Sequence, residues 1–232
     1  MSELLHDHRF PGEGDAYRSA RNELLKAEMD LRKHTEEVAA LRRKLPLGGK
    51  VPQDYVFEEA PVLECPATQP TRLSQLFAPG KDTLALYSYM YGPAMAAPCT
   101  SCTSILDGLN GTAPHISQRM NFAVVAKSPM ERISAVALQR NWRNLRLLSS
   151  ANNSYNADYF GEDAKGDQRP SLNIFVRRDG AIHHFFHSEL MFAPSEPGQD
   201  PRHVDIIWPL WNMLDFTPEG RGENWYPKLS YR

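Results

Sequence analysis

The run Thr83-Leu-Ala-Leu-Tyr-Ser-Tyr-Met-Tyr is almost continuously apolar, is bounded by Gly80 and Gly92, and leads directly to Cys99-Thr-Ser-Cys102. Such a run reads as a central strand with both faces covered. Ser101 to Gly108 reads as the following helix, closed near Gly108 and Gly111. A C-x-x-C at this strand-to-helix junction sets the first sulfur over the helix N-terminus, where unpaired N–H groups and the positive end of the dipole favour a thiolate. That placement lowers a thiol pKa from about 8.5 into the range of roughly 3.5–7.5. The second sulfur, one turn on, can close a disulfide and release a mixed-disulfide partner.

The rest of the chain fits an α/β domain around that junction. Met120-Asn-Phe-Ala-Val-Val-Ala is a second central strand, Pro129 opens a helix over residues 130–139, and Leu145-Arg-Leu-Leu-Ser-Ser is a third strand. Residues 170–187 read as two strands joined at Asp179-Gly180, a strong hairpin signal. A short strand is expected at Asp54-Tyr-Val-Phe-Glu and a final amphipathic helix over 203–216, interrupted by Pro209. Trp208, Trp211, Phe216 and Trp225 form an aromatic tail that packs over the domain or lines a groove.

Ahead of the domain, residues 1–14 form a polar leader with Pro11, Gly12 and Gly14. From Asp15 the pattern changes. Leu24, Leu31, Val38 and Leu45 recur at seven residues, and Ala20, Ala27, His34 and Leu41 form a companion row. The spacing predicts an amphipathic helix within 15–47, about 45 Å long at 1.5 Å per residue. It either lies across the body or serves as an arm gripping a second subunit in a homodimer. The domain itself spans 50–232.

Composition limits what the chain can do. A net charge of −2 and a pI near 6.4 give no bulk reason to expect nucleic acid. No apolar run approaches the ~20 residues of a membrane span, and Met1–Pro11 lacks the pattern of a secretory signal, so the expected compartment is cytoplasmic. Three cysteines do not make a disulfide scaffold; a close pair in a reducing compartment reads as redox or metal chemistry. Cys65 reads as a small buried or edge-strand residue.

The order of strand, C-x-x-C helix, strand, helix and proline-led hairpin is that of a thioredoxin-like domain. Pro170-Ser-Leu-Asn-Ile-Phe resembles that superfamily's Pro-Thr-Leu-x-x-Phe segment. The wider pattern is similar to a thioredoxin-like family carried as a domain of unknown function, of the alkyl hydroperoxide reductase/thiol-specific antioxidant type. The similar segments are Asp54-Tyr-Val-Phe, Tyr-x-Met-Tyr-Gly-Pro before Cys-x-Ser-Cys, Trp142-Arg, Leu148-Ser-Ser, Tyr155–Asp158, and Leu214-Asp-Phe-Thr-Pro-Glu-Gly-Arg. The resemblance covers most of 20–232. It implies a thioredoxin-like fold with a central mixed sheet, a long N-terminal helix and a C-terminal helical tail. In the superfamily's segment a cis-proline faces the cysteines, which implies that role for Pro170. Two departures stand out. No tryptophan precedes Cys99, and neither cysteine is framed by the Pro-x-x-x-Thr-x-x-Cys of peroxiredoxins.

The expected activity is thiol–disulfide exchange on a protein or small-molecule disulfide or peroxide, with no cofactor beyond the dithiol. Cys99 is the expected nucleophile and Cys102 the resolving thiol. Thr100, Ser101, Trp142 and Arg143 are candidates to contact substrate, and Arg146 could bring a second guanidinium. The alternatives are a redox-inert interaction module, or a copper or zinc site built from Cys99, Cys102, His183 and His187, since thiolate plus imidazole suits those metals. Regular strand alternation would put His183 and His187 on one face and His184 on the other. Ser149, Ser150, Asn156 and Asp158 read as turn and loop hydrogen bonders.

Overall fold

The structure is a computed structural model that describes residues 5–61, 63–64 and 67–231; Cys65 lies outside the described residues. The chain divides into two compact units, residues 1–46 and 47–232.

The first unit is built on helix α1, Asp15–Arg43. Its two final arginines face the negative end of the helix dipole. The apolar row predicted from the heptad spacing is solvent-facing in the single chain: Leu31 and Leu41 are 66% and 64% exposed, and Leu24 is also open.

The second unit is organised on a mixed sheet of seven strands among the described residues. These are β1 (Val56–Glu59), β2 (Gln69–Arg72), β3 (Thr83–Ser88), β4 (Asn121–Ala126), β5 (Leu147–Ser149), β6 (Ser171–Arg178) and β7 (Ala181–His187). Their spatial order is β2-β1-β5-β4-β3-β6-β7. Strands β3, β4 and β5 run parallel, while β6 pairs antiparallel with β3 and β7 with β6. Helix α2 (Thr100–Arg119) connects β3 to β4, and α3 (Met130–Arg140) connects β4 to β5.

The continuous apolar runs reflect burial on both faces. In β3, Ala85 and Tyr87 pack with Ile105, Leu106 and Ile133 of the helices, while Leu84 and Leu86 turn to Tyr55, Phe57 and Phe175 on the other side. In β4, Val124 joins the first cluster and Ala123 and Val125 the second. The β6–β7 turn has Asp179 at φ 51° and Gly180 at φ 76°, as a two-residue primed turn needs.

Two expectations about helices are corrected. Helix α2 does not close at Gly108 or Gly111 but continues through Pro114 to Arg119. Proline cannot donate to the carbonyl four residues back. Here the freed Asn110 carbonyl accepts from the Asn144 side-chain amide at 3.0 Å, and Asn110 Oδ1 takes the Asn144 backbone N–H at 3.0 Å. A long-range partner thus repairs the gap. The tail is not one helix over 203–216. A single 3₁₀ turn at Asp205–Ile207 precedes Pro209, which then begins a short helix, Pro209–Leu214.

Candidate functional site

Strand β3 ends at Ser88, and the chain then makes a loop that delivers Cys99 to the start of α2. Arg132 on α3 holds this loop. Its guanidinium donates to the carbonyls of Pro93 (3.0 Å) and Met95 and lies 4.5 Å over the Tyr91 ring. Gly92 has no room for a side chain: a Cβ there would meet Gln168 Cγ at 2.8 Å. The Cys99 N–H donates to the Met90 carbonyl at 3.0 Å. The Cys99 carbonyl in turn accepts from both the Thr103 N–H (3.0 Å) and the Thr103 hydroxyl (2.7 Å). Since Thr103 Oγ1 spends its proton there, the Tyr89 hydroxyl donates to it at 2.8 Å. The Cys99 backbone is therefore fixed from both sides.

Cys99 is the N-cap residue of α2 and is half-buried; Cys102, one turn on, is 2% exposed. Both are free thiols. The Cys102 thiol donates toward the Cys99 sulfur, and the amides of Cys102 and Ser101 add to that pull against the cost of burial, so the Cys99 thiol falls to about 6. The same interaction, with burial, pushes Cys102 well above the ordinary thiol range. One sulfur is thus a thiolate at neutral pH and the other keeps its proton. The Tyr87 hydroxyl, also buried, sits beside Cys102 with no oxygen or nitrogen partner.

A cavity of about 370 Å³ runs along both cysteines. Ser101 and Pro170 line it, as do Met90 and Ile105 beneath and Trp208, Trp211, Trp225 and Tyr226 from the tail. The tail is moored by the Trp208 indole N–H, which donates to Ser104 Oγ on α2 at 3.1 Å, and by Arg140, which donates to the Leu229 carbonyl at 2.7 Å. Arg202 and Arg221 also border the cavity, and both are committed to carboxylates. Arg202 pairs with Asp215 at 2.9 Å, and Arg221 with Asp205 at 2.5 Å and Asp215 at 2.7 Å. Those guanidiniums hold the Asp215 carboxyl well below the usual range. His203 stands in the wall with Nδ1 buried and unpartnered; burial lowers its basicity.

Several sequence-derived candidates lie elsewhere. Thr100 opens α2 but does not line the cavity. Trp142 is 1% exposed, edge-on to Tyr89, with its indole N–H on Asp107 at 2.8 Å, so it is a core residue. Arg143 reaches out to Glu64, and Arg146 pairs with Glu59 at 2.7 Å; neither borders the cavity. Pro170 does reach the cysteine cavity, but its peptide bond is trans rather than the cis form implied by the resemblance. Ser150 and Asn156 do act as hydrogen bonders, to each other at 2.7 Å.

The proposed metal set does not assemble. Among the described residues, no group of three or more His, Cys, Asp or Glu converges on one point. The expected strand alternation also fails. A bulge leaves Phe185 unpaired between Phe186 and His184, which brings His184 and His187 onto a separate cavity, away from His183's alternation and from the cysteines. The sequence reading also overlooked His203, Arg202 and Arg221. For Arg202 and His203 the signal is only a charged loop between Pro201 and Trp208, whereas Arg221 ends the Leu214–Arg221 segment, which by itself points to no cavity.

The parallel β3–β4 pair spanned by the C-x-x-C helix, with the antiparallel β6–β7 hairpin added beside β3, defines a thioredoxin-like domain. The chain belongs to the family described as bacterial protein of unknown function (DUF899), whose model matches residues 8–231. No curated protein matches it in sequence. Among solved structures, it is similar to the peroxidoxin BcpB from Mycobacterium tuberculosis, with 20% identity over 71% of this chain and 94% of that one and a TM-score of 0.44. AhpC from Enterococcus faecalis matches at 10% identity over 78% and 98%, with a TM-score of 0.47. The exposed lipoprotein thioredoxin Etrx1 from Streptococcus pneumoniae matches at 12% over 66% and 95%, with a TM-score of 0.41. Among the described residues no helix is long and apolar enough to cross a membrane.

Proposed function

We propose that the chain is a thiol–disulfide oxidoreductase acting through Cys99 and Cys102. The observation that carries this reading is their placement: Cys99 is the half-buried N-cap of α2 on a cavity wall, and Cys102 is buried one turn behind it. The Cys99 thiolate attacks a substrate disulfide, forming a mixed disulfide and releasing one thiolate. Cys102 then loses its proton to solvent and attacks Cys99 Sγ, releasing the second thiolate and leaving a Cys99–Cys102 disulfide. Two electrons pass to the substrate, and an external dithiol restores the pair. Peroxide reduction is a weaker reading, since neither cysteine has the peroxiredoxin frame. The protein acts in the cytoplasm as a homodimer joined through α1, whose exposed leucines otherwise face water.

The test is mass spectrometry of the reduced protein after exposure to hydroxyethyl disulfide. A loss of two hydrogens is expected in the native chain, a stable adduct in Cys102→Ser, and neither in Cys99→Ser. An adduct on Cys65 with Cys99 unmodified would overturn the assignment.

A further inference from the structure

The walls around the two sulfurs describe the kind of substrate the dithiol would take. Four aromatic side chains close the cavity from the tail side. Trp211 is edge-on to Trp208 (5.3 Å, 77°), to Trp225 (6.0 Å, 80°) and to Tyr226 (5.8 Å, 78°), and Met90 and Ile105 also line the cavity. Ring edges set at such angles pack well against the faces of further aromatic rings. A volume of about 370 Å³ is at the small-molecule end of the range for ligand pockets. Residues from the 200–226 segment form one wall and narrow the approach to the sulfurs.

Charge points the same way. The guanidiniums bordering the cavity, Arg202 and Arg221, are paired with Asp205 and Asp215, with Asp200 3.8 Å from Arg221 as well. Glu223 adds a further carboxylate to the border. Carboxylates thus outnumber guanidiniums, and the net negative border disfavours an anionic substrate such as oxidised glutathione.

We propose that this cavity takes uncharged, aromatic small-molecule disulfides, an inference that rests on the dithiol reading and narrows its substrate class. The chemistry favours such compounds too. When Cys99 attacks, the S–S bond breaks, one aryl sulfur stays bonded to Cys99, and the other leaves as an arylthiolate, a stable anion that departs without a proton. Cys102 then displaces the second arylthiolate, completing a two-electron reduction.

The experiment compares dithiodipyridine (neutral, aromatic), dithiobis(nitrobenzoate) (aromatic, doubly anionic) and hydroxyethyl disulfide (neutral, aliphatic). Each second-order rate with the full-length reduced protein is divided by that of free N-acetylcysteine thiolate, which removes intrinsic reactivity. The normalised rate should be at least tenfold higher for dithiodipyridine than for either competitor, and Trp225→Ala, a change at a partly exposed ring, should shrink that preference. Normalised rates equal within twofold, or highest for the dianion, would overturn the inference. Saturable quenching of tryptophan fluorescence by dithiodipyridine in Cys99→Ser separates the two levels. Binding there without any reaction in the native chain keeps the aromatic cavity and sinks the dithiol reading. Fast but unselective reaction keeps the dithiol reading and sinks the aromatic cavity.

Discussion

Replacing Cys102 by alanine tests the electrostatics of the site at its source. The leading cause of the low Cys99 pKa is the thiol proton of Cys102, ahead of the amides of Cys102 and Ser101. A hydrogen bond to a charged group is worth about 1.5–3 kcal/mol, and one pKa unit is about 1.4 kcal/mol. Removing that donor should therefore raise the Cys99 pKa from about 6 by about one to two units. The amides remain, so the value should still fall below the roughly 8.5 of a free thiol. The assay is thiolate absorbance near the ultraviolet edge, titrated alongside the pH dependence of iodoacetamide labelling. Labelling rate at a single pH would mislead, because a more basic thiolate is also more nucleophilic; with a Brønsted coefficient of about 0.4–0.5 the high-pH plateau should rise several-fold as the midpoint moves up. An unchanged midpoint near 6 in Cys102→Ala would refute the reasoning and transfer the whole effect to the helix terminus.

Three other perturbations probe the scaffold. Burial lowers the pKa of His184, His187 and His203, so the unfolded chain binds more protons below its histidine pKa of about 6.5; stability should be full above that value and decline as pH falls toward 5. His187→Phe should flatten this decline and cost little at pH 7, because both ring nitrogens are buried without partners; a steeper pH slope in urea denaturation would contradict this. Arg132→Ala should lower stability by about 1–3 kcal/mol in urea denaturation, through the lost loop carbonyl contacts; an unchanged midpoint would show that the loop holds itself. Leu31→Glu with Leu41→Glu should convert a dimer to a folded monomer in light scattering, at little cost to the single chain because both positions are exposed; a dimer that persists would exclude α1 as the joint.

The elements legible from the sequence are those whose cause is local. The alternation of Leu84, Ala85, Leu86 and Tyr87 across a two-faced sheet, the Asp179-Gly180 turn and the heptad row of α1 each follow from a few neighbouring residues. So does Cys99, because the junction that activates it is written in the surrounding twenty residues. What failed depends on distant partners. Gly108 and Gly111 argue for an early end to α2, yet the helix runs on past Pro114, where Asn144, thirty-four residues from Asn110, satisfies the freed carbonyl. The bulge at Phe185 inverted the histidine faces without any glycine to announce it.

The cavity shows the same division more sharply. The Trp142-Arg143 pair is a candidate to bring a guanidinium near the thiolate, yet Asp107 and Glu64 claim the two side chains. Arg202, which borders the cavity, carries no sequence motif, and Arg221 stands out only as the end of the Leu214–Arg221 segment; their charge is offset by aspartates ten or more residues away as well as nearby. A residue's type states what it can bind, while its partners decide what remains available to bind. At Cys99 the thiol proton of Cys102 and two amides leave a reactive anion. Around it, ion pairs engage the cations and indole rings line the cavity. On the proposed function, reactivity and selectivity are set by different parts of the chain: the dithiol by the strand–helix junction of the sheet, and the walls around it by the tail that lines the cavity.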